Sequence, residues 1–120
     1  MTKPMIVLVV EDEPMLLLMA GTVVEDAGLQ PLFANSADEA VAILENRTDI
    51  RIVFTDVDMP GSMDGIKLAS AIRHRWPPIS IIVVSGHKNV SLAELPEGAQ
   101  FFGKPYDEQR VIETLMAMAA

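Results

Sequence analysis

Ile50-Arg51-Ile52-Val53-Phe54-Thr55-Asp56-Val57-Asp58-Met59-Pro60-Gly61 is an apolar run that stops at an acidic residue and then at turn chemistry. Rich in β-branched and aromatic residues and too short for a helix, it reads as a strand buried on both faces. Pro60-Gly61 marks the loop beyond it. Asp56 therefore stands at the strand's carboxyl end. In an open α/β sheet, ligands bind in the crevice outside the carboxyl ends of the strands. Taken alone, Asp56 and Asp58 read equally well as solvated turn carboxylates, so the rest of the chain has to decide.

Upstream, Met5-Ile6-Val7-Leu8-Val9-Val10 is a second apolar run that also ends in acid, at Glu11-Asp12-Glu13. Pro14 suits a helix's first turn, where its missing N–H costs nothing, and acidic residues there favour the positive end of the dipole. The helix is expected to reach about Ala27, with Gly28 as its stop. Leu16, Ala20, Val23, Val24 and Ala27 are expected to face the sheet, with Met15 and Leu18 nearer the outside. Those outer residues read either as ordinary exposure on a greasy core helix or as a partner-docking face. Leu29 to Ala34 gives a short strand, and Ser36-Ala37-Asp38-Glu39 has the form of a capping box opening a helix through Leu44.

Downstream, Met63-Asp64-Gly65 starts a helix whose apolar face is Ile66, Leu68, Ala69, Ala71 and Ile72, reaching Trp76; Pro77-Pro78 ends it. Ile79 to Val84 is another strongly apolar strand, with a polar exit at Ser85-Gly86-His87. Lys88 to Gly98 is too short and broken for more than one or two helical turns. Ala99 to Gly103 is a last short strand leading into Lys104-Pro105. Tyr106-Asp107 precede a final helix with Val111, Ile112, Leu115 and Met116 inward.

Strand alternating with helix implies a parallel sheet wrapped on both faces. The expected architecture is flavodoxin-like, five parallel strands in the order 2-1-3-4-5, with the fourth helix short or irregular. That order sets the first and third strands side by side, so Glu11, Asp12 and Asp56 converge. The 120 residues are expected to form a single domain, 1–120, with no output domain. A formal charge of −8 argues against nucleic acid or an acidic membrane surface as partner. There is no cysteine, hence no disulfide frame or thiolate metal site. No apolar run approaches the roughly 18 residues of a membrane span, and a cytoplasmic location is expected.

Three carboxylates gathered together repel, each pair costing about 4 kcal/mol at about 4 Å and an effective dielectric near 20. A hard divalent cation makes such a gathering useful, since Mg2+ prefers oxygen ligands and keeps waters for a phosphate to displace. Lys104 adds a positive charge and Ser85 a hydroxyl at neighbouring strand exits. Together they describe a phosphoryl site.

Val9-Val10-Glu11-Asp12-Glu13-Pro14, Asp56-Val57-Asp58-Met59-Pro60-Gly61 with Met63-Asp64-Gly65, Val84-Ser85-Gly86 and Gly103-Lys104-Pro105-Tyr106 resemble the signature blocks of response-regulator receiver domains of two-component signalling. The resemblance covers essentially the whole chain. It implies that Asp56 is the phosphoacceptor, receiving phosphate from a histidine kinase or histidine phosphotransfer protein and signalling through protein contacts to a target it does not name. It implies Mg2+, with Mn2+ able to substitute, held by Asp12, Asp56 and the backbone carbonyl of Asp58, with Glu11 acting through water. It further implies that Lys104 pairs with the phosphoryl group, that Ser85 is the switch hydroxyl, and that Phe101 is the aromatic whose rotamer follows it. The family's Lys-Pro bond is commonly cis, and the same is expected of Lys104-Pro105.

The chain also departs from the family pattern. Glu11 stands where Asp is usual, Ser85 where Thr is more common, Ser62 lengthens the loop after Pro60, and Lys88 to Gly98 is shorter than the usual fourth crossover. His74, beside Arg75 at a helix end, reads as structural, and Trp76 as a cap over the core. His87 reads as a surface-loop residue or, with Asp58, as a residue tuning hydrolysis of the acyl phosphate. No enzymatic activity is expected beyond self-phosphorylation from a phosphodonor and slow self-dephosphorylation. Two alternatives stay open. Asp56-Val57-Asp58 is similar to the Asp-x-Asp of haloacid-dehalogenase-type phosphatases, which place it on their first strand; the other alternative is an interaction domain independent of phosphorylation.

Overall fold

The computed structural model describes residues 4–59, 61, 63–86 and 92–120. Strands β1 (Ile6–Val10), β2 (Gln30–Ala34), β3 (Ile50–Asp56), β4 (Ser80–Ser85) and β5 (Gln100–Gly103) form one parallel sheet in the order β2-β1-β3-β4-β5. Among the described residues four helices connect and flank it: α1 (Pro14–Asp26), α2 (Ala37–Asn46), α3 (Gly65–Arg75) and α4 (Glu108–Ala119). This is the flavodoxin-like arrangement that the alternation of apolar runs predicts. Among the described residues no helix is long and apolar enough to cross a membrane.

Successive side chains of a strand point to opposite faces, so each continuous apolar run supplies two cores. Leu8, Val10, Val53, Ile81 and Val83 pack beneath Leu44 of α2 and Leu68 and Ile72 of α3. On the other face Val7, Val9, Ile52, Phe54, Ile82 and Val84 pack beneath Val23 and Val24 of α1 and Val111 and Leu115 of α4.

Helix ends follow their local chemistry. The Glu13 side chain accepts from Met15 N–H at the start of α1, Ser36 Oγ from Glu39 N–H at α2, and Asp64 Oδ1 from Lys67 N–H at α3. The third helix therefore begins at Gly65, with Asp64 as its cap, within the Met63-Asp64-Gly65 start read from sequence. Gly28, with φ of 80°, takes the left-handed turn that stops α1. The Arg75 guanidinium lies 4.4 Å from the centre of the Trp76 ring, and half-buried Trp76 packs against the α2–α3 core as a cap. His74 is exposed in the basic last turn of α3.

Two inward assignments need correction. Leu16 is exposed, while half-buried Leu17 packs against the sheet, because the buried face of α1 runs through Leu17, Ala20 and Val24. Met116 is 55% exposed, and Met118 packs inward instead. Leu16 sits about 100° around the helix from Leu17, and Met116 about 200° from Met118.

Between β4 and β5 the described residues hold only a single 3-10 turn, Leu92–Glu94, consistent with a short, irregular fourth crossover. Arg73 of α3 holds its far end. The guanidinium donates to the carbonyls of Glu97, Pro77 and Ile79 at 3.1, 2.7 and 3.0 Å. His87, Pro60 and Ser62 lie outside the described residues, and the expectations resting on them stay there.

Candidate functional site

Register builds the site. Val10 of β1 is level with Thr55 of β3, so Glu11 and Asp56, each one residue further on, emerge side by side. Ser85 is level with Gly103, and Lys104 N–H donates to Ser85 carbonyl oxygen at 2.8 Å, continuing the ladder past β5. Three strand exits thus deliver an acid, an acid and a lysine to one crevice. The Lys104-Pro105 bond is cis.

Glu11 and Asp56 are 6% and 4% exposed, and Ser85 is buried, while Asp12 and Asp58 are exposed at the rim. Lys104 Nζ lies 2.7 Å from Asp56 Oδ1 and 3.4 Å from Glu11 Oε2. Lys104 is thus the group that meets the buried Asp56 Oδ1. Glu11 Oε1 accepts from Glu13 N–H at 3.1 Å, fixing the turn that carries the acids. Ser85 Oγ donates to Asp58 Oδ2 at 3.4 Å. Half-buried Phe101 is level with Val83, two residues before Ser85 on the same strand, and joins the α2–α3 core.

Burial pushes the Asp56 carboxyl above its ordinary range. Asp58 and Asp12 add to the shift, and Lys104 opposes it. Glu11 is raised too, chiefly by burial, with the Asp56 charge adding to it. Burial pulls the Lys104 ammonium down, but Asp56 and Glu11 outweigh that and hold it above its usual value.

Glu11, Asp12 and Asp56 each offer a carboxylate oxygen, all within 4.8 Å of one another. An all-oxygen anionic set gathered this closely fits a hard divalent cation such as Mg2+.

Two residues quoted within the sequence blocks have contacts that sequence reading did not assign. Gly65 stands directly against the Asp56 backbone, where an added Cβ would strike the Asp56 carbonyl oxygen. Gly65 N–H also donates to Val57 carbonyl oxygen at 2.9 Å. Its place two residues after Met63, in a block already notable, was the available signal. The second is Tyr106, whose ring meets Phe54 edge to face at 5.9 Å and whose hydroxyl is raised in pKa by burial.

The family model for the response regulator receiver domain matches residues 7–116. The nitrogen assimilation regulatory protein NtrX of Azorhizobium caulinodans is 31% identical over 110 residues, covering 88% of this chain and 24% of that protein. The chain spans about a quarter of the length of the curated relatives it matches first. Among solved structures, a response regulator receiver protein from Pseudomonas putida is 30% identical with a TM-score of 0.81, covering 98% of both chains. Another from Sinorhizobium medicae is 25% identical with a TM-score of 0.88, covering 96% of this chain and 94% of that one.

Proposed function

This chain belongs to the response regulator receiver family of two-component signalling, and on that premise we propose that Asp56 accepts a phosphoryl group from a phosphohistidine on a histidine kinase or histidine phosphotransfer protein. A carboxylate oxygen of Asp56 bonds to phosphorus while the N–P bond breaks and its electron pair returns to the imidazole. The observation that carries this reading is the convergence of Glu11, Asp12, Asp56 and Lys104 from three strand exits.

Asp12, Asp56 and the Asp58 backbone carbonyl would hold Mg2+, with Glu11 acting through water; Mn2+ offers the same oxygen-ligand chemistry. When bound, the cation neutralises charge on the phosphoryl oxygens. Lys104 is already on Asp56 and pairs next with the phosphoryl group. The modification adds about two negative charges and strong acceptor oxygens. The Ser85 hydroxyl then exchanges its long bond to Asp58 for one to phosphate, and Phe101, on the same face, follows it and carries the change to the surface. Asp58 and His87 are assigned to tuning hydrolysis of the acyl phosphate, which Asp58→Ala and His87→Ala should alter in lifetime. The Asp-x-Asp stands here on the third strand, which lends nothing to the phosphatase alternative.

The test is intact mass after incubation with Mg2+ and acetyl phosphate. One phosphoryl group should be gained by the native chain and none by Asp56→Asn. Labelling that survives Asp56→Asn would overturn the assignment, and so would an unmodified native chain.

A further inference from the structure

Between α1 and the β5–α4 connection lies a cavity of about 540 Å3 that opens at one end onto the acidic crevice. Small-molecule sites span about 300–1,000 Å3 and join apolar walls to a few placed polar groups. Here Leu16 and Met19 of α1, Phe54 and Val84 of the sheet, and Tyr106 after β5 supply the apolar lining. Leu16 and Met19 are 38% and 48% exposed, apolar surface that α1 does not spend on the core. The charged lining is Glu11, Asp56, Glu108 and Lys104, three carboxylates against one ammonium.

That imbalance selects the occupant. A free anion, with neither the bond to Asp56 nor the divalent cation that help a phosphoryl group, would have to displace Asp56 and Glu11 from Lys104, which they hold at 2.7 and 3.4 Å. A neutral molecule leaves the surplus negative charge uncompensated, and a bare metal ion leaves the apolar walls wet. A cation with an apolar body answers both ends, and aromatic faces attract it further. We infer that the cavity binds a small organic monocation of the arylalkylammonium class, its head on the Glu11 and Asp56 carboxylates and its body between α1 and Tyr106. The head and a divalent metal use the same oxygens, so the ligand holds the chain unphosphorylated. That consequence, unlike the binding itself, rests on the phosphoacceptor reading.

The experiment titrates the whole chain with phenylbutylamine, phenylbutanol and phenylbutyrate by calorimetry, with and without Mg2+, and repeats acetyl phosphate labelling with the amine present. The amine should bind about tenfold or more tighter than the alcohol, the worth of one charge-assisted hydrogen bond, and phenylbutyrate more weakly still. Mg2+ should weaken it competitively, and it should slow labelling. Met19→Trp, which fills the cavity, should lose amine binding and keep Mg2+ affinity; Leu16→Gln, on the exposed side of the same wall, serves if the tryptophan variant does not fold. Equal binding of amine and alcohol would overturn the inference, as would amine and Mg2+ binding independently. If both variants impair labelling by a protein donor while the amine never binds, the cavity takes a protein side chain and the inference also fails. Labelling without amine binding sinks this inference alone, whereas amine binding by a chain that is not labelled even in the absence of amine sinks only the phosphoacceptor assignment.

Discussion

Phe54 and Asp56 stand two residues apart on β3, on the same side of the sheet, 2% and 4% exposed, and their burial has opposite energetics. Removing the Phe54 ring from water stabilises the fold by roughly 25 cal/mol for each Å2 of apolar surface covered. Removing the Asp56 carboxylate from water costs free energy, which the Lys104 ammonium 2.7 Å from Oδ1 offsets only in part, since burial still holds the carboxyl above its ordinary range. The same split recurs on β1, between Val9 and Glu11, and on β4, between Val83 and Ser85. Strand interiors supply the stability that holds the strand exits in an arrangement they would not adopt by themselves. Stability and function are thus separated along each strand by a step of about two residues.

The strongest test of that separation lies in the interior. Ile72 of α3 is fully buried in the α2–α3 core, and Ile72→Ala should cost about 2–5 kcal/mol in urea unfolding, with labelling of the folded fraction retained. Asp56→Asn should act in the other direction, raising the melting temperature of the metal-free chain while abolishing labelling. Burial holds the Asp56 carboxyl toward its protonated form, and asparagine copies that form without the charge. If Asp56→Asn destabilised the metal-free chain as Ile72→Ala does, the exits would be part of the core and the comparison would break.

What was legible in the sequence follows the same division. The interior runs, Met5 to Val10, Ile50 to Phe54 and Ile79 to Val84, announced the strands because a strand buried on both faces must be apolar at every position. The convergence of Glu11, Asp12 and Asp56 followed from strand order, and Lys104 was added from its place at the exit of the last strand. Helix faces were harder. Leu16 and Leu17 are chemically the same, and only the buried spacing of Ala20 and Val24 separates them. Contacts made by backbone were not legible either. Gly65 is needed because the Asp56 carbonyl oxygen occupies the space of a side chain, a fact that depends on how β3 and α3 meet. The cavity beside the crevice is also a product of assembly, since its walls come from five separate stretches of chain.

Next in size is the effect of metal, which sharpens the comparison by giving it a pH dependence of predictable sign. Glu11 and Asp56 both have raised folded-state pKa values. From about pH 4, the ordinary carboxylate value, up to those raised values, the native chain holds protons that the unfolded chain has lost. Stability of the metal-free chain therefore falls as pH rises through that window and levels off above it. Mg2+ needs the ionised carboxylates, so its contribution runs the other way. At a hundredfold excess over its dissociation constant it should add about 2.7 kcal/mol near neutral pH, and the gain should vanish as pH falls through the same window. Melting temperatures in Mg2+ and in chelator should converge toward acid. Curves that stay parallel down to pH 4, by about the same margin, would mean that the cation binds elsewhere.

The smallest expected effect concerns apolar surface that serves neither the core nor the crevice. Met15 and Leu18 of α1 are 65% and 63% exposed, although each resembles in composition the residues that α1 buries. Glutamine matches methionine and leucine closely in helix propensity, so Met15→Gln and Leu18→Gln isolate the loss of apolar surface. Each should change unfolding free energy by no more than about 0.5 kcal/mol, the ordinary range for surface substitutions. Val24→Ala, on the buried side of the same helix, should cost several times as much, because it leaves unfilled space against the sheet. A concentration-dependent loss of stability in Met15→Gln beyond that range would show this stripe covered in solution by a second molecule, and the boundary between structural and free surface would then have to be redrawn on the outside of α1.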